Sequence, residues 1–346
     1  MTRRPLLGIL ALLLLSLAAL LGCDAAPANT PVGTPTPQPA RITPANVGQL
    51  TLLRSIDACQ GRDQAWSADS RIMVTYAHTT VEVWDVPNNT LLRTLRIVPP
   101  PAAPDTFIPN IASVALAPDG QTVAVGPDTV VRRWRVTDGT PLPPLGGDEH
   151  TTFFDVRFAP DGQTLVAIGE TGVGVHRWRM PDGTPLPILS GNIEEVALTP
   201  DSQLLAGLEP TGAIVLWQLP SGTLQRTLQG PDKPALSLVF APDGKTLATA
   251  GVDGRVWLWH VADGTLARTL SGSTSEITNL SFSADGQLLA VSGYDNAVRL
   301  WRVADGTLLR TFSDDQVVSY DVSFTPNGRL LAICKGTGGM GLWGVR

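Results

Sequence analysis

Residues able to carry chemistry are scarce in this 346-residue chain, which has three cysteines and four histidines. Cys23, Cys59 and Cys334 are too widely spaced for a CxxC metal or redox pair. His78, His150, His176 and His260 show no HxH or HExxH spacing, so neither a metal nor a cofactor is expected. No GxSxG nucleophile elbow occurs. Glu194 and Glu195, if on a strand, point to opposite faces rather than forming a catalytic pair. Charged residues make up 16% of the chain and its net charge is −6. An acidic chain without clustered Lys and Arg is a poor partner for nucleic acid. Beyond the first twenty or so residues, no ten-residue stretch keeps a 3.6-residue period, so helices should be nearly absent. The glycine-rich "GTGGMG" at 336–341 has no helix after it to hold a phosphate.

Apolar residues and turn formers are abundant: 43% hydrophobic, 34 Gly and 29 Pro, a balance that suggests β-structure. Seven of nine tryptophans fall in one pattern: "VEVW" at Trp84, "VRRW" at Trp134, "VHRW" at Trp178, "IVLW" at Trp217, "VWLW" at Trp259, "VRLW" at Trp301 and "MGLW" at Trp343. Their spacings are 50, 44, 39, 42, 42 and 42 residues, close to the ~40–45 residue period of four-stranded propeller blades.

Other features keep phase with these tryptophans. About 15 to 17 residues before each stands a tight turn such as Pro118-Asp119-Gly120 or Pro242-Asp243-Gly244, in which Pro pre-sets φ, Asp caps its own backbone and Gly accepts positive φ. An aromatic or Leu precedes that turn and a short apolar run follows it. Six residues after each of the first six tryptophans a hexapeptide begins at Thr90, Thr140, Thr184, Thr223, Thr265 and Thr307. Each unit therefore reads as four short strands, a to d, with the tryptophan on c and the hexapeptide as d. Prolines in two hexapeptides (Pro141, Pro143, Pro144; Pro185, Pro187) make d the outermost strand, because proline cannot donate to a ladder.

Seven such units in phase resemble the WD40-repeat β-propellers, over 49–346. The resemblance implies an all-β, seven-bladed WD40-like β-propeller with four antiparallel strands per blade. The hallmark residues are thinner. Only Trp84 is followed by Asp (Asp85), and the Gly-His pair before strand a survives as a distorted Gly147 and His150. The b–c turn Asp persists at Asp128, Asp253 and Asp295. The full Asp–His–Ser–Trp network of well-matched blades is therefore not expected, and packing should rest on the tryptophans and strand-a aromatics. His176 and His260, beside strand-c tryptophans, should pack between blades.

The ends complete the picture. A strand d for the seventh unit would begin near position 349. The stretch "LTLLRSI" at 50–56 repeats the hexapeptides "TLLRTL" at 90–95 and "TLLRTF" at 307–312, so the N-terminal strand should complete the last blade, as in WD40 propellers. A chance match, or a degenerate eighth blade, is the other reading. Cys59 follows the closing strand and Cys334 ends strand b of the same blade. They make a possible disulfide across the closure, and Cys334 as a small core residue is the alternative.

Upstream, Arg3 and Arg4 precede an apolar run, 6–21, too short for a membrane span and of signal-peptide length. It ends in Leu20-Leu21-Gly22-Cys23, which resembles the bacterial lipobox. The resemblance implies a lipoprotein signal peptide over 1–22 and lipid on Cys23. An ordinary signal peptide or uncleaved anchor is the alternative. The Pro/Thr/Ala-rich 23–48 reads as a tether, with the propeller beginning at 49.

Function is expected on the surface. One d–a connection, "RIVPPPAAPDTFIPN" at 96–110, is about ten residues longer than most and carries Ile97, Val98, Phe107 and Ile108 as candidate partner-binding residues. Tyr294 and Trp257 are further candidates, and Trp257 can equally be blade packing. The expected function is a non-catalytic scaffold, not an enzyme. It would be held to the extracytoplasmic side of a bacterial membrane by Cys23, and would bind an unidentified protein or envelope component. The alternative is a propeller enzyme, or a small-molecule or glycan-binding protein, using the central channel. That would need His, Arg or carboxylate side chains converging on one pocket.

Overall fold

A computed structural model describes residues 38–57, 64–77, 79–97, 111, 113–126, 129–146, 151–169, 173–230, 234–313, 319–335 and 339–346. They form seven four-stranded antiparallel sheets. Blades 1 to 6 span 64–96, 113–146, 153–189, 195–228, 235–271 and 277–313. Each keeps the order a-b-c-d, and strands a lie side by side from blade 1 to 3 and from blade 4 to 7. Blade 7 takes its strands a to c from 319–344 and its strand d from Thr51–Ile56. Thr51 pairs with Gly344 and Ile56 with Met340. The N-terminal strand thus closes the last blade, as the repeated hexapeptide implies. The only helix among the described residues is a 3-10 turn, Val47–Gln49.

The period of the tryptophans has a packing cause. Among the described residues the apolar core divides into seven clusters, one for each joint between blades. Trp134, Trp178, Trp217, Trp259, Trp301, Trp343 and Trp84 each lie in the joint with the preceding blade. One large aromatic per blade, aimed the same way around the ring, adds a large apolar surface to each joint. Strand b is buried on both faces, as at Leu288–Gly293, while strand d is the open rim.

A second device ties the joints, and it is polar. The Arg at hexapeptide position four reaches the next blade's c–d turn. Arg54 donates to Val86 O and Pro87 O at 2.6 and 2.8 Å, and Arg93 to Val136 O and Thr137 O at 3.3 and 2.8 Å. Arg268 donates to Asp305 O and Ala304 O at 2.9 and 3.1 Å. In blades 2 and 3 position four is Pro143 and Pro187, and the Arg comes from strand c instead. Arg133 and Arg177 occupy the place of Val83, Leu216, Leu258, Leu300 and Leu342 elsewhere. Arg177 donates through Nε and Nη2 to Pro187 O (3.1 and 2.8 Å) and through Nη1 to Pro220 O at 3.0 Å. Arg133 does the same to Pro143 O (3.2 and 2.8 Å), with Nη1 against Met180 Sδ. The glycine of the receiving turn is fixed twice over. Gly306 has φ +73°, and a Cβ there would meet Arg268 Cδ at 2.9 Å and Leu270 Cδ2 at 3.0 Å, so a side chain meets both backbone strain and its neighbour.

The body begins earlier than position 49. The compact unit starts at Gln38, and Ile42, Val47 and Leu50 are buried between blades 6 and 7. Ala40 N–H donates to Val345 O, and Ile42 N–H to Gly328 O. Proline, alanine and threonine dominate the composition of 23–48, which hides Ile42, Val47 and the Asn46 side chain that caps Thr43 N–H.

Candidate interaction face

The a–b and c–d turns lie at one end of the strands, and the d–a and b–c connections at the other. The first end is uniform. In all seven a–b turns the third residue's N–H donates to the carbonyl three back at 2.8–2.9 Å. An Asp carboxylate (Asn327 in blade 7) accepts the N–H two residues on, at 2.8–3.0 Å. In the c–d turns Asp138, Asp182, Asp263 and Asp305 accept from the Thr two residues on. Hydrogen bonds from Thr140 and then Arg135 hold Asp138 down to about 2, and bonds from Thr307 and Arg302 do the same for Asp305. The acids of this end are engaged in capping their own turns.

Among the described residues nine large apolar side chains are exposed, and seven lie on the d-strand rim: Leu52, Leu91, Leu92, Ile188, Leu224, Leu266 and Leu308. The other two, Leu236 and Tyr294, belong to the second end, in adjacent blades 5 and 6. Leu236 is 37% exposed at a register shift in strand a, between Ala235 and Ser237, where a bulge re-aims a side chain. Tyr294 is 40% exposed on the b–c turn of blade 6, and its N–H donates to Glu276 O. The next residue braces that turn. Asp295 accepts from Ser273 Oγ at 2.8 Å and Thr274 N–H at 3.1 Å and pairs with Arg299 Nη2 at 2.8 Å. Burial pushes the Asp295 pKa up, but Arg299, Ser273 and Thr274 outweigh it and the net shift is downward. Tyr294 thus stands on a turn fixed to the neighbouring d–a connection.

The remaining candidates divide. Ile97 is half-buried against the blade 1–2 cluster. Val98, Phe107, Ile108, Cys23 and Cys59 lie outside the described residues, as do His78, Asp128, Gly147 and His150. Trp257 stacks on Trp259 at 6.4 Å and 21° and packs in the blade 4–5 cluster, so much of its surface serves the joint. Cys334 is buried and disulfide-bonded. Its pairing cysteine, Cys23 or Cys59, lies outside the described residues. His176 packs edge-on to Phe153 at 5.0 Å and stacks on Trp178. His260 does not pack between blades; it is exposed on the residue where the chain enters the c–d turn. Fragments of the hydrogen-bond network survive. Trp259 Nε1–H donates to Thr249 Oγ1 at 3.0 Å, and blade 6 has the Asp295 cluster. Sequence reasoning missed Leu236. Its signal is modest: a leucine where Thr278 stands in the next blade.

The family model for the WD domain, G-beta repeat, matches residues 222–260 and 264–302. These segments run from strand d of one blade through strand c of the next, over blades 4 to 6, and include the turn acids Asp253 and Asp295. The matched segments are similar to WD40 repeats, and they lie within the seven-bladed ring. No curated protein matches the chain. WD40 propellers are generally non-catalytic scaffolds that bind other proteins.

Proposed function

We propose that this protein is a non-catalytic scaffold, lipid-anchored through Cys23 on the extracytoplasmic side of a bacterial membrane, that presents the loop end of its ring to another envelope protein. The contrast between the two ends carries the docking side of this reading. At one end the turn acids are consumed by their own turns; at the other, Leu236 and Tyr294 stay exposed on neighbouring blades, and tyrosine is a favoured hot-spot residue. The anchoring side rests on the apolar run 6–21 and the Leu-Leu-Gly-Cys that ends it.

Crosslinking in native membranes, followed by identification of the captured protein, tests the docking face. Leu236→Ser with Tyr294→Ala should abolish capture while leaving Tm within about a degree or two, because both side chains are exposed. Capture at wild-type yield by that double variant would remove this surface from the proposal. Cys23→Ser should release the protein from the membrane fraction; full retention would refute anchoring through Cys23.

A further inference from the structure

We infer that residues 38–50 are a closing strap that stands in for the c–d turn of blade 7 and holds the ring shut from the N-terminal side. In blades 1 to 6 strands c and d are joined by a turn, and in blades 1, 2 and 6 that turn takes two bonds from the preceding blade's strand-d Arg. Blade 7 has no such turn, because its strand d comes from Thr51–Ile56. Arg310, at position four of blade 6, still has a landing place. It donates to Val47 O at 3.0 Å and Gly48 O at 3.2 Å, in the 3-10 turn that leads into the closing strand. This matches the pair of consecutive carbonyls taken by Arg54, Arg93 and Arg268. Arg310 also lies 4.4 Å from the Phe312 ring centroid, which fixes its direction.

The rest of the strap secures that turn to blade 7. Ala40 N–H donates to Val345 O at 2.9 Å and Ile42 N–H to Gly328 O at 2.8 Å. Arg329 donates to Pro39 O, and Ile42, Val47 and Leu50 fill the joint of blades 6 and 7. The strap therefore grips both sides of that joint and delivers the closing strand in register. Under the anchoring reading proposed above, a pull on the upstream segment reaches the strap before it reaches Thr51–Ile56, so closure depends on the strap staying seated.

The test uses the full chain and hydrogen exchange read strand by strand. Arg310→Ala should speed exchange in 51–56 about tenfold while leaving blades 2 to 4 unchanged. Arg268→Ala, which removes the same latch at an ordinary joint, should leave 51–56 at the wild-type rate. Faster exchange in 42–50 with 51–56 unchanged would overturn the proposal, since the strap would then be packed on the body without holding the closure. Equal acceleration of 51–56 by both variants would also overturn it. If Arg310→Ala does not fold, Asn46→Ala, which only uncaps the strap, carries the same expected and overturning outcomes.

Discussion

Blades 2 and 3 and blades 5 and 6 solve one mechanical problem with different residues. In blades 5 and 6 the cation that crosses the joint comes from the exposed strand d, at Arg268 and Arg310. In blades 2 and 3 that position is proline, and the cation comes from strand c, at Arg133 and Arg177, 5% and 1% exposed. The rim arginine is a solvated latch over a turn. The strand-c arginine is a buried pillar that braces its own strand d, where proline has removed a donor, and in blade 3 it also reaches the next blade's turn. The difference teaches that the joint needs a guanidinium over the receiving turn, not an arginine at one sequence position. It also explains how two rim strands tolerate proline: the strand-c Arg restores support that the proline backbone gives up.

Removing the pillar should cost most. Arg177→Ala leaves two carbonyls without their charged donors and opens a void, a loss of about 3–5 kcal/mol. Arg268→Ala should cost about 1 kcal/mol, as its carbonyls can turn to water. Urea midpoints of the two variants measure this; equal losses would end the distinction between pillar and latch. Cys334, buried in the cluster between blades 7 and 1, is disulfide-bonded. Reduction, or Cys334→Ser, should lower stability by about 2–4 kcal/mol, and intact mass with and without reductant reports whether the bond is present.

Transplanting the device sharpens the comparison. Arg268→Pro alone removes the blade 5 latch, and Leu258→Arg supplies a pillar at the strand-c position used by Arg133 and Arg177. The double variant should recover about 1 kcal/mol relative to the sum of the singles. A purely additive result would mean that the strand-c site in blade 5 cannot host the guanidinium, and that the two joint types are not interchangeable.

The tryptophan period, the paired turns and the displaced hexapeptide were readable because each follows from a local rule repeated seven times. One aromatic per joint, one capped turn per hairpin and one missing rim strand leave a periodic trace. The arginine exchange also leaves a trace, since Pro143 and Pro187 coincide with Arg133 and Arg177. Reading it requires knowing that residues ten apart meet across strands c and d, which periodicity alone does not say. The strap was hidden for the opposite reason. It occurs once, so Ile42, Val47 and Leu50 repeat nothing, and their burial depends on a joint assembled from the far end of the chain. The docking face was only partly legible. Tyr294 stood out by its residue type, whereas Leu236 is exposed because of a bulge that composition does not reveal.

Acid should separate the joints by the chemistry of their receiving turns, and this is the smallest effect expected. Asp138 and Asp305 cap the turns that receive Arg93 and Arg268, and their pKa values are lowered from 3.8 to about 2. A carboxylate whose folded pKa is depressed stabilises fully above its unfolded pKa and loses that contribution as pH falls through the folded value. Both turns should therefore be intact at pH 5 and loosen progressively between pH 3.8 and about 2. Blade 4 provides the internal control. Its c–d turn, which receives the Arg177 pillar, is capped by Ser221 Oγ at 3.2 Å from Thr223 N, a group that does not titrate. Amide protection at Thr140 and Thr307 should fall at pH 2.5 while that at Thr223 holds, after correction for intrinsic exchange. Parallel loss at all three would show that acid acts on the ring as a whole and not through the caps of the latch-bearing joints.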